Sequence, residues 1–319
     1  MRYRKLGSTD LNVSEIGFGC WPIGGDAYGR TDDATSLAAL QAALDCGVNF
    51  FDTADVYGKG HSEALLAQAF EGRRHDVIIA TKGGALVHPF DELPKEWAID
   101  FSPQHLRDAL EASLRRLKTD YVDLYQLHSP PVDMDGAWAT LIEFRAQGKA
   151  RAVGVSAKTP HDGLMWVQAW SPAVDILMVN LSLLDQRAVR NGLFPLCRKI
   201  QTGVIARTPL SFGFLTGEIE KGVAFTGPDH RKTWPAAQRD TWAEGWKLFD
   251  HLREPGQTRA QFALAYCLGH DAVSTVIPGM LTPEQVRENA AVGDGPLLAA
   301  DVMQEIARIY EANEFYVGR

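Results

Sequence analysis

The sequence has little cysteine, and its cysteines lack the spacings that cysteine-based sites need. Its four cysteines, Cys20, Cys46, Cys197 and Cys267, are far apart and form no C-x-x-C pair. Zinc sites and disulfide frameworks both depend on ligands or partners at short, recurring spacings. The pattern therefore indicates buried, reduced thiols, and it excludes a disulfide scaffold or a cysteine zinc site as the basis of the fold.

Long hydrophobic runs and an excess of positive charge are also missing. No uninterrupted apolar run approaches the roughly 20 residues of a membrane-spanning helix, and the polar start at residues 1–5 is unlike a signal peptide. Lys and Arg number 32 against 40 Asp and Glu, a formal net charge of −8, which disfavours broad attraction to nucleic acid or anionic membranes. We expect a cytoplasmic protein with a small-molecule substrate, no nucleic-acid or membrane partner and no required protein partner.

Short apolar runs that alternate with helical patterns are the main fold signal. After a hairpin predicted around residues 3–13, eight such runs predict strands, and the 319-residue length suits one barrel domain over residues 1–319. An open doubly wound sheet is the alternative, but no G-x-G-x-x-G follows an early strand. The pattern predicts an α/β fold, a (β/α)8 barrel, with strands near Ile16, Val48, Val77, Val122, Ala150, Val174, Gly203 and Val273.

Two helix starts and one long connection add detail to this prediction. Ser102 and Pro103 introduce a helix with one apolar face, and Thr282 to Gln285 combines an N-cap, a first-turn proline and capping-box residues. The segment from Ser211 to Gln257, after the seventh strand, contains several glycines and three tryptophans. Loops of that length in compact domains are usually functional. We expect this segment to cover the mouth of the barrel.

Four polar side chains are predicted to meet where barrel strands end. Asp52 follows the second strand, Lys82 ends the third, His128 ends the fourth, and Tyr57 lies shortly after Asp52. Reacting groups in such barrels lie at the C-terminal ends of the strands. Taken singly, each could be structural: a strand-end cap, an ion-pair partner, a core histidine or a packed rim aromatic. Their joint position instead predicts a catalytic rim.

The chemistry of these groups suits proton exchange with a carbonyl oxygen. A tyrosine pKa near ~10 is too high for efficient exchange at neutral pH, but the ammonium of Lys82 would stabilise the phenolate. Asp52 can hold that ammonium, and His128 can hydrogen-bond the substrate oxygen. Tyr57 then acts as general acid or base while a redox cofactor carries the hydride. A metal-dependent hydrolase is disfavoured because no H-x-H cluster accompanies His128.

At these residues the sequence resembles the aldo-keto reductase family. The resemblance rests on residues 52–58, on Thr81-Lys82 and on Leu127-His128, and further short motifs extend it over nearly the whole chain. It implies an NADPH-preferring oxidoreductase, with NADH possible, that interconverts aldehydes or ketones with alcohols. The alternative is a cofactor-sensing regulatory subunit with little turnover, because some barrels of this kind serve as auxiliary channel subunits.

The resemblance also implies a set of cofactor contacts along the barrel mouth. The nicotinamide would lie near residues 19–21 and Ser156, the pyrophosphate under the loop after the seventh strand, and the adenosine at the start of the last barrel helix. Asp52 takes part in both the catalytic and the cofactor set. The remaining implied residues are Gly19, Cys20, Trp21, Ser156, Met178, Arg207, Leu210, Ser211, Gly213, Leu215, Gly279, Met280, Gln285 and Asn289.

Several positions depart from the family pattern. Ala157 stands where Asn is common, Met178 where a nicotinamide-binding Gln is common, and Arg207 where an aromatic ring usually stacks on the cofactor. A planar guanidinium could stack there instead, and a salt bridge is the alternative. Residues 279–282 contain no Lys or Arg, so Arg287 is the nearest candidate for a 2′-phosphate. Apolar lining for the substrate is expected from Trp21, Trp97, Trp234 and Phe315, and ordinary packing at the barrel rim is the alternative for each.

Overall fold

A computed structural model describes residues 1–86, 98–130, 134–157, 159–170 and 174–317. The chain begins with the predicted antiparallel hairpin of β1 (Tyr3–Lys5) and β2 (Asn12–Ser14). Eight strands in one parallel sheet follow, and each predicted position lies within two residues of one of them. They are β3 (Phe18–Gly19), β4 (Phe50–Asp52), β5 (Ile78–Gly83), β6 (Val122–Leu127), β7 (Ala150–Ser156), β8 (Ile176–Asn180), β9 (Gly203–Arg207) and β10 (Val273–Ile277).

The sheet closes on itself, as the barrel prediction requires. Neighbouring strands pair in chain order from β3 to β10, and the ends of the sheet are joined by backbone hydrogen bonds. The amide of Gly17 donates to the carbonyl of Val276 at 2.8 Å, and that of Gly19 donates to Pro278 at 2.9 Å. The (β/α)8 barrel is therefore confirmed, and the open-sheet alternative is wrong.

The helices surround the barrel, and two of them begin where the sequence predicts. Ser102 caps the third helix by accepting from the His105 amide at 3.4 Å. Thr282 caps a later helix in the same way, but the side chain of Gln285 accepts from the Leu281 amide at 2.8 Å, so the expected capping box is not the one formed. The helices are α1 (Asp33–Asp45), α2 (His61–Ala69), α3 (Pro103–Leu117), α4 (Met134–Ala146), α5 (Pro160–Trp170), α6 (Arg187–Arg190), α7 (Leu193–Ile200), α8 (Ala236–Gly245), α9 (Arg259–Leu268), α10 (Pro283–Ala290) and α11 (Ala300–Glu311).

The hairpin closes the bottom of the barrel. Leu6, Leu11 and Val13 are fully or almost fully buried and pack with the inward side chains of the strands, such as Leu124. A Cβ at Gly7 would collide with the backbone of Gly203 at the start of β9, and the φ of Gly7 is +61°. Glycine suits this close approach because it has no Cβ and tolerates positive φ. The floor of the barrel is therefore apolar and tightly packed.

The long segment after β9 lies across the opposite end of the barrel. It contains short 3-10 turns and α8, and its residues Phe212, His230 and Trp234 line the same cavity as Tyr57 and His128. This agrees with the expected cover over the barrel mouth. Within the described ranges, no helix is both long and apolar enough to cross a lipid bilayer.

Shortening the buried side chain of Leu6 tests how strongly the barrel depends on its N-terminal hairpin. Leu6 is completely buried, so we expect Leu6→Ala to lower the free energy of unfolding by about 2–5 kcal/mol through lost burial and a residual cavity. Leu297 is 48% exposed, and Leu297→Ala serves as the matched control, with a change within about 0.5 kcal/mol. Urea unfolding followed by circular dichroism measures both. Equal effects of the two variants would contradict a stabilising role for the hairpin.

Candidate active site

The ammonium of Lys82 joins three acceptors at the C-terminal rim of the barrel. Its Nζ lies 2.7 Å from Asp52 Oδ2, 2.8 Å from the carbonyl oxygen of Thr53 and 3.3 Å from Tyr57 Oη. Lys82 is 1% exposed. Because an ammonium has three N–H donors, these contacts use its full hydrogen-bonding capacity. The structure thus brings together three of the four side chains that the sequence assigned to catalysis.

Two neighbouring segments hold Asp52 and Tyr57 in this geometry. Asp52 is the last residue of β4, and the amide of Gln126 on β6 lies 3.5 Å from its second oxygen. Tyr57 opens a short turn in which Gly58 has a φ of +58° and packs against the backbone of Gly24 too closely for a Cβ. The Gly58 amide also donates to Asp26 Oδ2 at 3.1 Å. The tyrosine is therefore positioned by a backbone contact that only glycine allows.

Burial and the charges of this group together favour a protonated tyrosine and a charged lysine. Burial favours a neutral amine, but the adjacent negative charge of Asp52 raises the pKa of Lys82 above its ordinary value. Burial raises the pKa of Tyr57, and the Lys82 ammonium opposes that shift without cancelling it. Lys82 acts on Tyr57 in the direction that the sequence suggested, while desolvation is larger. At neutral pH the phenol is a proton donor in this structure.

His128 completes the rim next to Tyr57. Its amide donates to the carbonyl of Gly83 at 3.0 Å, and its ring lies 5.7 Å from the Tyr57 ring, nearly edge to face. Burial lowers the pKa of His128 well below its ordinary value, and the positive charges of Lys82 and Arg207 lower it further. The imidazole is therefore neutral at pH 7, the form that hydrogen-bonds a polar oxygen without adding charge.

A cavity of about 1090 Å³ opens onto these residues. Asp52, Tyr57 and His128 line it, and so do most of the residues expected to contact a cofactor. The lining therefore joins the catalytic rim to the expected cofactor positions along one continuous surface. The expected cofactor residues that line it are Gly19, Trp21, Asp52, Met178, Arg207, Leu210, Gly213, Gly279, Gln285 and Asn289.

The other five expected cofactor residues lie behind the cavity wall. Cys20, Ser156, Ser211, Leu215 and Met280 are buried and are not part of the cavity lining within the described residues. Two of them carry polar contacts of the wall: the hydroxyl of Ser156 lies 3.2 Å from Arg207 Nη1, and that of Ser211 lies 2.9 Å from the hydroxyl of Ser182. In this structure these five residues support the lining residues.

Arg207 presents a fixed guanidinium at the end of β9. Its Nε donates to Asn180 Oδ1 at 2.7 Å, and its Nη2 donates to the carbonyl of Ala157 at 2.9 Å. Among residues of the described ranges, no carboxylate forms an ion pair with it. The salt-bridge alternative is therefore wrong for the described part of the chain. Neutral acceptors hold the plane of the guanidinium where it lines the cavity.

Arg259 lines the cavity, whereas Arg287, the cation that the sequence indicated for a 2′-phosphate, does not. Arg287 is exposed, pairs with Glu284 at 3.4 Å and lies outside the lining. Arg259, at the first position of α9, lines the cavity; it pairs with Asp250 at 3.0 Å and stacks 3.8 Å from the ring centre of Trp246. The capping box of Thr258 predicts a helix start there, but only tertiary packing shows which way this start faces.

Aromatic rings form the wall above Tyr57. Trp21 stacks on Tyr57 at 6.0 Å and contacts His230 at 4.4 Å, and Trp234 lies 5.2 Å from His230. Trp21 and Trp234 thus line the cavity as expected. Phe315 does not, because it is buried against Phe249.

Trp97, the remaining expected lining residue, lies outside the described residues. The sequence reasoning also overlooked Tyr28, Phe212 and His230, which all line the cavity. Aromatic residues in the long segment after β9 were the available signal for Phe212. Nothing local in the sequence separates His230 from the other histidines of the chain.

Comparison with known proteins agrees with this geometry. The model of the Aldo/keto reductase family matches residues 15–311. The NADH-specific methylglyoxal reductase of Escherichia coli (strain K12) is 32% identical over 98% of this chain and 100% of its own length. A probable voltage-gated potassium channel subunit beta of Arabidopsis thaliana is 30% identical over 98% of this chain and 97% of its own length.

A solved structure extends the similarity to three dimensions. The glycerol dehydrogenase AKR11B4 from Gluconobacter oxydans superimposes with a TM-score of 0.82 at 28% identity, over 98% of this chain and 96% of that one. These similarities extend along almost the full length of the chain and agree with the closed barrel. The chain belongs to the aldo/keto reductase family of oxidoreductases.

Proposed function

We propose that the protein is an NADP(H)-preferring oxidoreductase that reduces aldehydes or ketones, or catalyses oxidation of the corresponding alcohols, with Tyr57 as general acid and base. The observation that carries this proposal is the 3.3 Å separation of Tyr57 Oη from Lys82 Nζ at the wall of a large cavity. A charged lysine beside a tyrosine stabilises the phenolate that forms when the tyrosine gives up its proton. This is the property that carbonyl reduction requires of its acid.

The lining residues fit a nicotinamide dinucleotide. Arg207 offers a fixed guanidinium plane near the catalytic rim, suited to stacking on a ring. Phe212 and Gly213, both with positive φ, bring the backbone of the turn after β9 to the cavity surface, where it would contact phosphate oxygens. Arg259 adds a cation where the start of α9 lines the cavity. When bound, the dinucleotide would supply or accept the hydride.

The residues of the rim then divide the remaining work. Tyr57 donates its proton to the carbonyl oxygen as that oxygen gains negative charge, and the Lys82 ammonium stabilises the phenolate left behind. Asp52 keeps the ammonium charged and in place. Neutral His128 hydrogen-bonds the same oxygen and orients the carbonyl. In the oxidative direction Tyr57 begins as phenolate and takes the proton from the alcohol.

The names of two similar proteins support a small oxygenated substrate. One is a methylglyoxal reductase and the other a glycerol dehydrogenase, so both act on short carbon chains bearing oxygen. The cavity of this chain combines the polar groups of the rim with an aromatic wall. We propose short aldehydes and ketones as its substrates. The free cysteines fit a reducing, cytoplasmic location.

Removal of the Tyr57 hydroxyl tests the acid–base assignment. We expect Tyr57→Phe to lower kcat with a panel of aldehydes by about 10²–10⁴-fold, the usual contribution of general acid–base catalysis. NADPH affinity, measured by quenching of tryptophan fluorescence, should change little. The control is Tyr125→Phe, because Tyr125 is completely buried and its hydroxyl packs behind Gly83 without lining the cavity. Full turnover by Tyr57→Phe would refute the assignment.

The same assay separates catalysis from cofactor sensing. The similarity to a probable potassium channel subunit beta makes a regulatory subunit the second candidate. A catalyst oxidises bound NADPH within seconds of aldehyde addition, which the loss of absorbance at 340 nm records. A sensor binds NADPH with the same affinity and leaves it reduced over many minutes.

Arg259 tests the proposed preference for NADPH. Arg259 lines the cavity at the start of α9. In the same helix, the side chain of Gln261 donates to the Glu288 carbonyl of α10 at 3.1 Å. Because α10 begins at the expected adenosine position, Arg259 is expected beside that end of the cofactor. Loss of one charge-assisted hydrogen bond to a 2′-phosphate, about 1.5 kcal/mol, predicts an approximately tenfold rise in KM for NADPH in Arg259→Gln. KM for NADH should change less than about twofold.

Arg287→Gln is the matched control, because Arg287 lies outside the cavity. It should leave both KM values unchanged. A wild-type enzyme that prefers NADH, or an Arg259→Gln variant that loses affinity for both cofactors equally, would contradict the assignment.

A further inference from the structure

His230 faces the cavity from the long segment after β9 and is held by one backbone carbonyl. It is 7% exposed, and its Nδ1 lies 2.7 Å from the carbonyl oxygen of Ala27, which also accepts from the His230 amide at 2.9 Å. A carbonyl oxygen can only accept, so Nδ1 carries the proton. The tautomer of the neutral ring is thereby determined, and Nε2 is an acceptor.

The charge of the ring does not change near neutral pH. Burial lowers the pKa of His230 to about 4, while the hydrogen bond to Ala27 and the charge of Asp229 oppose the shift and Arg231 adds to it. The imidazole is therefore neutral at pH 6–8. Nε2 is buried and has no hydrogen-bond partner among the described residues. Buried polar atoms are normally paired, so an unpaired acceptor beside the cavity is a position where a donor from a ligand or a water would be stabilised.

The surroundings of Nε2 make it a distinctive polar feature of this wall. The His230 ring is packed among Trp21 at 4.4 Å, Tyr28 at 4.7 Å, Trp234 at 5.2 Å and Phe212 at 5.6 Å. Apart from the phenol of Tyr28, these rings offer no strong acceptor. A donor on the substrate would meet an apolar surface elsewhere on this wall and a matched lone pair at His230.

One residue, Trp21, links His230 to the rim that carries Tyr57. Trp21 contacts the rings of both Tyr57 and His230. A substrate whose carbonyl oxygen lies at Tyr57 and whose chain runs along Trp21 would bring its far end to the His230 ring. A hydroxyl is the donor that fits, because it needs only one acceptor and carries no charge into a buried aromatic wall.

We propose that His230 Nε2 accepts a hydrogen bond from a substrate hydroxyl, so that the protein selects hydroxylated aldehydes and ketones over unsubstituted ones of equal chain length. This rests on the proposed reductase function, since the reacting carbonyl at Tyr57 defines where the hydroxyl lies. A site built to bond a hydroxyl discriminates strongly against an analogue that lacks it, because the buried acceptor is then left unpaired. His230 is thus a specificity residue and takes no part in the proton transfer.

The test compares glyceraldehyde with propanal, which share a three-carbon chain and differ in hydroxyl groups. For the wild type we expect kcat/KM to favour glyceraldehyde. His230→Asn keeps a donor for the Ala27 carbonyl but lacks an acceptor at the Nε2 position, and His230→Phe keeps only the ring. Both should lower the glyceraldehyde-to-propanal ratio about tenfold, with propanal kcat/KM within about threefold of wild type. His230→Gln, whose longer amide reaches the Nε2 position, should regain part of the ratio.

The outcomes distinguish this inference from the proposed function. If propanal and glyceraldehyde are both reduced but all variants keep the wild-type ratio, the hydroxyl contact is wrong and the reductase assignment stands. If the variants lose turnover of both substrates equally together with a lower Tm, His230 only anchors the segment and the inference also fails. If the wild type reduces neither aldehyde, the proposed function itself fails. The wild-type ratio should stay constant from pH 6 to 8, because the ring remains neutral; a change with the titration of a histidine would contradict the tautomer argument.

Discussion

The buried ion pair of Lys82 and Asp52 is the constraint on which the rest of the site depends. Removing two charges from water is costly unless each finds close partners. Here the ammonium meets a carboxylate, a backbone carbonyl and a phenol, all within 3.3 Å. Only adjacent parallel strands that end at the same rim bring these groups together. The barrel therefore provides both the burial that makes the pair costly and the geometry that makes it stable.

This pair also determines the state of the neighbouring titratable groups. Burial alone would leave Tyr57 a very weak acid, and the ammonium beside it is the group that opposes this effect. The same positive charge helps to keep His128 neutral. One charged lysine thus acts on two neighbours in the directions that their proposed roles require: it eases loss of the phenol proton and keeps the imidazole uncharged. Perturbed pKa values from burial and a specific charge are typical of catalytic sites.

The barrel separates stability from specificity along its axis. The floor is made of apolar hairpin residues such as Leu6, and the rim carries the groups proposed to react. Above the rim, the long segment after β9 contributes Phe212, His230 and Trp234 to the cavity. Loops on a rigid scaffold can change without disturbing the core. In this chain they carry the residues proposed to select the substrate, while the strands carry those proposed to react with it.

The sequence by itself determined the barrel and the four residues of the rim. Strand and helix periods are local, and residues such as Asp52 and Lys82 are placed at strand ends by those periods alone. The direction of Arg259, the neutral partners of Arg207 and the orphan nitrogen of His230 were decided by tertiary structure. Each depends on segments far apart in the chain, such as Ala27 and His230, that meet only on folding. Local patterns carry no record of such contacts, because burial, tautomer and pairing are properties of the packed environment.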